Sequence, residues 1–327
     1  MCSSDLMEVD QLTSKSSVLI YPGGRWIQRA GRGMQKFGLS QINDPHLSRL
    51  YFAAQAQRIF PSAGINDGIS IVVKNYEKAS TEFEYDYDDN GKVTSQVRKS
   101  PGDRIMLLNP EDEEIADKLV SFVKKYNLSF LSDSVLPRNL FGIESSFVEN
   151  NSDKVKLLST VKGEIDYDYY AKVLTNDQAG SKGRSKWFLM KKTDIPRNSD
   201  LIDKWKVIVI SANPGGQRRD NQLEVIDNHS GFGRSKVALK LLDTKSEAEN
   251  LFKYCDSKII RFTMLLTNEA LTSFAKYTQD ILNYKGNNSL INFNENIDLQ
   301  LKNLFDLTDE QYEYALARVK PHLKGEN

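Results

Sequence analysis

KWKVIVISANPGGQRRDNQLEVIDNHSGFGRSKVALKLL, residues 204–242, contains three short apolar runs separated by polar stretches. The runs KWKVIVI, QLEVID and KVALKLL are rich in β-branched and aliphatic residues, which favour strands. The stretches between them are rich in glycine, asparagine and arginine, which is typical of loops. The same pattern extends towards the N-terminus through KWFLMK (186–191) and EIDYDYYAKVL (164–174). The sequence therefore predicts a β-rich region over residues 164–244.

Two pairs of residues further along the chain have the spacing of helix capping boxes. Thr244 and Glu247 form the first pair, and Thr308 and Gln311 form the second. In such a box each side chain bonds the backbone N–H of the other residue, and this starts a helix. Residues 259–266 form an apolar segment between the two boxes, which we expect to be helical. The sequence therefore predicts that a helical C-terminal tail follows the β-rich region.

The N-terminal part of the chain has a sparser alternation of strands with one helix. SVLIY (17–21), residues 47–53 and GISIVV (68–73) are candidate strands, and residues 26–39 are a candidate helix weakened by glycines. This pattern is typical of one edge of an α/β sheet, but it is too short for a complete doubly wound domain. We therefore expect the first and third of these strands to lie in one sheet, with a face or an edge left uncovered.

A β-hairpin and an amphipathic helix are predicted between these two regions. FEYDY and KVTSQV alternate polar and apolar residues within residues 82–99, on either side of Asn90 and Gly91. An Asn-Gly pair supplies the positive φ angles of a tight hairpin turn. Pro110 then precedes the acidic residues 111–114, which favour the N-terminal end of a helix.

The composition is that of a globular protein. The 327 residues include 44 Lys and Arg, 44 Asp and Glu and 39% hydrophobic residues, unlike a disordered or fibrous chain. Cys2 and Cys255 are too few for a disulfide scaffold or a CxxC metal site, and they fit a reducing cytoplasm. No apolar run reaches the roughly 18 residues of a membrane span, and residues 1–10 do not resemble a signal peptide. We therefore expect a cytoplasmic protein of two domains, or of one domain with a large extension, that has no membrane contact.

The neutral net charge conceals a local excess of basic residues. Residues 182–236 contain twelve Lys and Arg against six Asp and Glu, and residues 15–36 contain five basic residues and no acidic one. Three polar loops, at 180–186, 213–222 and 227–236, carry many of the basic residues of the first stretch. Such an asymmetry is typical of a protein that turns one face towards a polyanion.

The residue types in these loops are those that proteins use to contact DNA. Arginine reads guanine with two hydrogen bonds, asparagine and glutamine read adenine, and lysine holds phosphates. Three such loops from one β-rich region could converge on a duplex; the alternative is that they are polar hairpin loops that happen to be basic. The candidate DNA contacts, which also include three N-terminal arginines, are Arg25, Arg29, Arg32, Lys182, Arg184, Lys186, Asn213, Gln217, Arg218, Arg219, Asn228, His229, Arg234 and Lys236.

The sequence lacks the motifs of several common enzyme sites. Residues 23–33, GGRWIQRAGRG, match neither of two nucleotide-binding motifs, GxxxxGK[ST] and GxGxxG after a strand. We therefore interpret Gly23 and Gly24 as part of a tight turn, and Gly31 and Gly33 as residues that weaken a helix. The three histidines are scattered, and no GxSxG is present. No carboxylate cluster with a following lysine forms a convincing nuclease site. The sequence therefore predicts no catalytic residue and no metal ligand in this chain.

Seven segments resemble type II and IIG restriction–modification adenine-N6 DNA methyltransferases, a group whose methylase domain is often fused to a nuclease. They are LIYPGGRWIQRAGRGMQKF, FPSAGINDGISIVV, RNLFGIE, DLIDKWKVIVISANPGG, DNHSGFGRSKVAL, KSEAENLFKYCDSKIIRFTMLL and DLTDEQYEYALARVKP. They occur in family order over nearly the whole chain. The resemblance is to the C-terminal part of these enzymes, where a target-recognition domain follows the end of the methylase domain.

The resemblance implies a fold of both α/β and α+β type. Residues 1–78 would be the C-terminal remnant of a Rossmann-like methyltransferase domain, providing the partial edge of a doubly wound methylase sheet. Residues 79–100 would be a β-hairpin linker. Residues 101–327 would be a mixed, β-rich target-recognition domain with a helical C-terminal tail. In the family the methylase domain binds S-adenosylmethionine and flips the target adenine out of the duplex.

The chain departs from the family at the residues that perform the chemistry. The catalytic Asn-Pro-Pro-Tyr motif is absent, since Asn109-Pro110 is followed by two acidic residues and Asn213-Pro214 by two glycines. The glycine-rich cofactor motif is absent too. We therefore expect the chain to bind no cofactor and to be inactive alone, as a fragment, a split subunit or the product of a broken gene. S-adenosylmethionine is implied for the complete enzyme.

The function predicted from the sequence is sequence-specific DNA recognition within a restriction–modification adenine-N6 DNA methyltransferase. The predicted partner is double-stranded DNA, together with the N-terminal methylase half or a nuclease subunit. One alternative is a non-catalytic interaction subunit that completes a partner methylase chain. Another is a restriction endonuclease subunit.

Overall fold

The computed structural model describes residues 15–29, 34–62, 65, 68–210, 223–266, 277–281 and 283–319. The chain divides into two compact units, Met1–Ile115 and Ala116–Asn327. Both units combine strands with helices, so the protein has a mixed α+β fold. Within the described ranges, no helix combines the length and the apolar character that crossing a membrane requires.

A five-stranded sheet forms the centre of the first unit. Its strands are β1 (Ser16–Pro22), β2 (Leu47–Ala53), β3 (Ile69–Asn75), β4 (Glu82–Asp89) and β5 (Lys92–Lys99), in the order β1-β3-β2-β4-β5. β2 and β4 are parallel, whereas the other three neighbouring pairs are antiparallel. A doubly wound sheet is mainly parallel, so the pairing differs from that expected at a methylase edge. The expected mixture of strands and helix is present.

The first and third predicted strands pair as expected. Val18 lies opposite Val73, and Ile20 lies opposite Ile71. Successive strand residues face opposite sides of a sheet, and Val18 and Ile20 are 64% and 45% exposed on the side away from the core. The expectation of an uncovered sheet face is therefore confirmed for the described part of this unit.

The predicted hairpin is present as part of the same sheet. β4 and β5 are joined by Asn90 and Gly91, which have φ angles of 53° and 97°. β4 also pairs with β2, and its residues Phe83 and Tyr85 belong to the apolar core of the unit. Residues 79–100 therefore extend the sheet, and the unit continues to Ile115. The assignment of residues 1–78 to a methylase domain stays a prediction.

The helix predicted over residues 26–39 begins later in the structure. α1 spans Met34–Ile42. Trp26 is almost fully buried, and its Nε1 donates a hydrogen bond to Ser70 Oγ at 2.7 Å. After this anchor the chain turns, and Arg29 has a φ of 56°, in the left-handed region that a right-handed helix does not use.

The described residues of the second unit form three sheets and most of the helices. Its strands are β6 (Ser129–Phe130), β7 (Val155–Leu157), β8 (Tyr170–Asn176), β9 (Ser185–Lys191), β10 (Trp205–Ile210), β11 (Leu223–Ile226), β12 (Ser230–Phe232), β13 (Lys236–Leu242) and β14 (Gln279–Asp280). The helices are α2 (Pro110–Lys125), which begins in the first unit, α3 (Phe147–Asn150), α4 (Lys245–Asp256), α5 (Lys258–Leu265), α6 (Ile297–Leu304) and α7 (Asp309–Arg318). The sheet orders are β12-β8-β9-β7, β11-β10-β13 and β14-β6. One apolar core draws residues from both larger sheets, including Val173 of β8 and Ile208 of β10.

The strands and helix caps predicted for this region are confirmed. β8, β9, β10, β11 and β13 lie in the five apolar runs. Thr244 Oγ1 accepts a hydrogen bond from Glu247 N–H at the start of α4, and Thr308 Oγ1 accepts one from Gln311 N–H at the start of α7. β12 was not predicted, because it lies within the stretch 227–236 that was expected to be a loop.

Candidate nucleic-acid interface

β8, β9 and β12 bring two of the predicted loops to one end of their sheet. β8 and β9 are antiparallel, with Asn176 opposite Ser185, so the turn of residues 177–184 lies just beyond this end. β12 runs parallel to β8, with Phe232 opposite Leu174. The chain that leaves β12 therefore emerges beside the same turn.

The neighbouring sheet has three strand ends at the same place. A short turn joins β12 to β13, with Lys236 N–H donating to Gly233 O at 3.0 Å. Ile210, the last residue of β10, lies opposite Lys236. β11 starts beside the same end of β10, since Leu223 lies opposite Val209. We call this shared edge the loop end; it comprises the turn 177–184, residues 233–235 and the adjoining ends of β10 and β11.

Asp177 organises the turn of residues 177–184. Its carboxylate accepts the backbone N–H of Arg184 at 2.8 Å and pairs with Lys186 Nζ at 2.7 Å. These contacts, the Arg184 N–H most of all, hold the pKa of Asp177 below its usual value. Lys182 and Arg184 are both exposed, but Arg184 donates through Nη1 to two carbonyls of its own turn. Lys182 is therefore the basic residue of this turn that a phosphate reaches most readily.

Arg234 lies at the loop end and is held by RNLFGIE (138–144), a segment that carries the resemblance but supplied no predicted DNA contact. Its Nη1 pairs with Glu144 Oε2 at 2.6 Å, and its backbone N–H donates to Ile143 O at 2.9 Å. Arg138 Nε donates to the Arg234 carbonyl at 3.3 Å. The side chains of Arg234 and Glu144 are 46% and 47% exposed, so the pair faces solvent. Its partners are 90 positions apart in the chain, and no local sequence pattern reveals such a contact.

Lys236 is a predicted DNA contact that the structure places inside the unit. It is only 5% exposed at the start of β13. Burial lowers the pKa of its ammonium group, although the carboxylate of Glu224 acts in the opposite direction. Because the strand pairing that buries it also forms the sheet, a phosphate could reach Lys236 only if β13 opened. We therefore remove Lys236 from the candidate contacts.

Asn228 and His229 lie at the opposite end of the sheet from Arg234. β12 spans the distance between them and begins opposite Lys172. The ring of His229 stacks on Tyr167, with centroids 4.6 Å apart and an interplanar angle of 18°. Because a strand divides this stretch, its two ends cannot act as one loop. Asn228 and His229 therefore do not share a surface with the loop end, contrary to the expectation from sequence.

The remaining predicted contacts fall into two groups. Arg25 is exposed in the first unit, and Arg29, in the same unit, donates a hydrogen bond to the carbonyl of Asp103. The candidates that lie outside the described residues are Arg32, Asn213, Gln217, Arg218 and Arg219. The candidates that the structure brings together at the loop end are Lys182, Arg184, Lys186 and Arg234.

The glycine turn after β1 does not form a cradle for a cofactor. A Cβ atom at Gly24 would lie 2.6 Å from Leu108 and 3.1 Å from Phe52. Apolar side chains thus fill the space beside this turn, and the described residues do not fit S-adenosylmethionine there. Across the described ranges, no group of three or more His, Cys, Asp or Glu side chains is placed to hold a metal ion.

Comparisons with known proteins give matches among solved structures but none in sequence. No protein-family description matches the sequence, and no curated protein matches it. Among solved structures, the chain is similar to the type IIG restriction endonuclease BpuSI, with a TM-score of 0.35 and 11% sequence identity. The match covers 96% of this chain and 48% of that enzyme, so the chain spans about half the enzyme's length. A likeness at this level does not assign the chain to a family.

Proposed function

We propose that the chain is a DNA-recognition part of a restriction–modification adenine-N6 methyltransferase. The observation that supports this most is the loop end, where the basic and polar turn 177–184 and residues 233–235 lie beside the adjoining ends of β10 and β11. A DNA reader needs such a surface, because phosphate contacts supply affinity and base contacts supply specificity. The seven segments that resemble these methyltransferases agree with the proposal.

The ion pair of Lys186 and Asp177 suits a surface that exchanges partners on binding. Lys186 is about half-exposed, its partner Asp177 is 25% exposed, and Lys182 is exposed. Exposed ion pairs contribute little to stability, so a phosphate can replace a carboxylate at a small free-energy difference.

Methyl transfer would require a partner that supplies the cofactor site and the catalytic motif, because this sequence contains neither.

Replacing Lys182 by alanine should weaken duplex binding equally for all DNA sequences. Each phosphate contact contributes about −0.9 to the slope of log K against log salt concentration. We therefore expect K182A to flatten the slope by about one unit. Fluorescence anisotropy on a randomised duplex pool, repeated across a salt series, measures both the affinity and the slope.

Lys236→Met is the matched control for this experiment. It removes a positive charge from the same end of the sheet, but from a buried position, and should leave the salt slope unchanged. Circular dichroism confirms that each variant is folded. A parent chain without salt-dependent duplex affinity would contradict the proposed function. Equal slopes for K182A, K236M and the parent would move the DNA contact away from the loop end, in the first instance towards Arg25.

A second candidate function is that of a non-catalytic subunit that completes a partner methylase chain. The open face of the five-stranded sheet favours it. Val18 and Ile20 are exposed at one edge of this sheet, and Val93 and Val97 are exposed at the other. Exposed apolar side chains on an unprotected edge strand promote association with another chain.

Replacing Val18 and Ile20 by threonine should reduce self-association of the isolated chain and weaken its co-purification with a methylase half that carries the missing motifs. Threonine preserves the preference for a strand while it removes apolar surface. Sedimentation velocity measures the first effect, and co-expression with a tagged methylase half measures the second. Val93→Thr with Val97→Thr tests the other edge. A parent chain that stays monomeric and does not co-purify with the methylase half contradicts this candidate.

A further inference from the structure

The segment of residues 138–144 is anchored beside Arg234 by core and backbone contacts. Phe141 is fully buried, and its ring meets that of Phe232 edge to face at 5.2 Å. Two residues later, Ile143 O accepts the Arg234 N–H at 2.9 Å. The segment cannot shift without disturbing this packing, so the residue that follows Ile143 has a well-defined position.

That residue, Glu144, uses its two carboxylate oxygens for different partners. Oε1 accepts a hydrogen bond from Asn139 Nδ2 at 2.5 Å, and Oε2 accepts one from Arg234 Nη1 at 2.6 Å. The Asn139 contact fixes the carboxylate on the side away from the arginine. A guanidinium group carries five N–H donors, and the Glu144 contact uses one nitrogen of a side chain that is half-exposed. Donors therefore remain for a ligand.

The carboxylate changes what the Arg234 side chain is suited to bind. It cancels most of the guanidinium charge, so attraction to a phosphate is weak, but it leaves the directions of the remaining donors intact. Arginine reads the O6 and N7 atoms of guanine through two parallel hydrogen bonds. A second side chain that holds the arginine in one orientation sharpens discrimination between guanine and the other bases. A guanidinium group in the wrong orientation would lose both hydrogen bonds to the base.

We propose that Arg234 reads a guanine in the target site and that Glu144 is the positioning residue for this contact. The inference rests on the proposed DNA-recognition function and makes one side-chain pair responsible for the preference at one base pair. Lys186 and its partner Asp177, at the same loop end, form an ion pair whose basic side chain is 48% exposed, close to the 46% of Arg234. Lysine lacks the planar fork that reads guanine, so this second pair provides a matched comparison.

Glu144→Gln tests the inference directly, because glutamine keeps the shape of the side chain and its bond from Asn139. In a selection from a randomised duplex pool, we expect E144Q to lose about tenfold of the preference for guanine at one base pair. Its salt slope should steepen by up to about 0.9, because Arg234 gains an uncompensated charge. Arg234→Lys should lose the same preference, and the double variant should lose no more than either single variant.

Asp177→Asn is the matched control. It removes a carboxylate from Lys186 and should steepen the salt slope as E144Q does, while the selected sequence stays that of the parent. Thermal melts establish that the variants are folded. If E144Q does not fold, the selection with R234K tests whether Arg234 reads guanine.

The outcomes separate the inference from the function on which it rests. An E144Q chain that binds more tightly but selects the parental sequence unchanged would overturn the inference, as would an R234K chain that retains the guanine preference. A parent chain that binds duplex in a salt-dependent way but selects no sequence would overturn the inference alone. A parent chain that does not bind duplex would overturn the proposed function and the inference together.

Discussion

Replacing Lys206 by methionine should abolish a rise in stability between about pH 7 and pH 10. Lys206 is fully buried on β10, and its Nζ donates to the carbonyls of Ile202 at 2.9 Å and Lys204 at 2.5 Å. Burial lowers the pKa of its ammonium group from 10.5 to about 7, although the carboxylates of Asp227 and Asp203 act in the opposite direction.

The direction of the effect follows from proton binding in the two states. Between the lowered pKa and that of an unfolded lysine, the unfolded chain binds a proton that the folded chain does not. The free energy of unfolding therefore rises with pH in this window, by about 1.4 kcal/mol per pH unit. The full destabilisation, on the order of 5 kcal/mol, is present below pH 7 and is relieved as the pH approaches 10.5.

Denaturant titrations of the parent and of K206M across this window measure the effect as a difference between the two chains. Lys182→Met provides the matched control, since it makes the same substitution at an exposed position. If the difference between the parent and K206M is constant with pH, Lys206 is not the group that titrates.

Replacing Gly38 by alanine should destabilise the first unit by about 3 kcal/mol. Gly38 lies within α1, where alanine is ordinarily better than glycine by about 1 kcal/mol. In the structure, however, a Cβ atom at Gly38 would lie 1.9 Å from the carbonyl oxygen of Trp26. That oxygen belongs to the backbone of a residue whose ring is buried in the core, so it cannot move aside without disturbing the packing.

Chemical denaturation followed by tryptophan fluorescence measures this change, because Trp26 lies at the contact. Gly286→Ala is the control, since nothing lies within 4 Å of a Cβ atom at that position, and its effect should be close to zero. A G38A chain that is as stable as the parent, or more stable, would show that α1 does not pack this closely against the Trp26 backbone.

The elements predicted correctly are those whose cause is local. The strands of residues 164–244 follow from short apolar runs bounded by loop residues, and both capping boxes follow from bonds between residues three positions apart. The helix over residues 26–39 was placed too early, because Trp26 is held by Ser70, which is 44 positions away. β12 was missed because three residues carry no periodicity and become a strand only by pairing with β8.

The candidate site likewise combines features that are local in sequence with features that depend on distant contacts. The sequence identified which loops are basic, and the register of β8, β10, β12 and β13 brings the turn 177–184 and residues 233–235 to one end. It could not show that Lys236 is buried or that His229 belongs to the other end. Nor could it show that Glu144 supports Arg234, because that contact depends on the folding of a segment 90 positions away.

The sequence by itself determined where five strands of the second unit form, where two of its helices begin and which loops carry positive charge. These properties depend on interactions within a few residues or on composition, so they can be read along the chain. Only the tertiary structure decided which loops share an end of the sheet, which lysines are buried and which carboxylate faces which arginine. These properties depend on strand register and on contacts between distant segments, and a shift of one residue in register would move each side chain to the other face of the sheet.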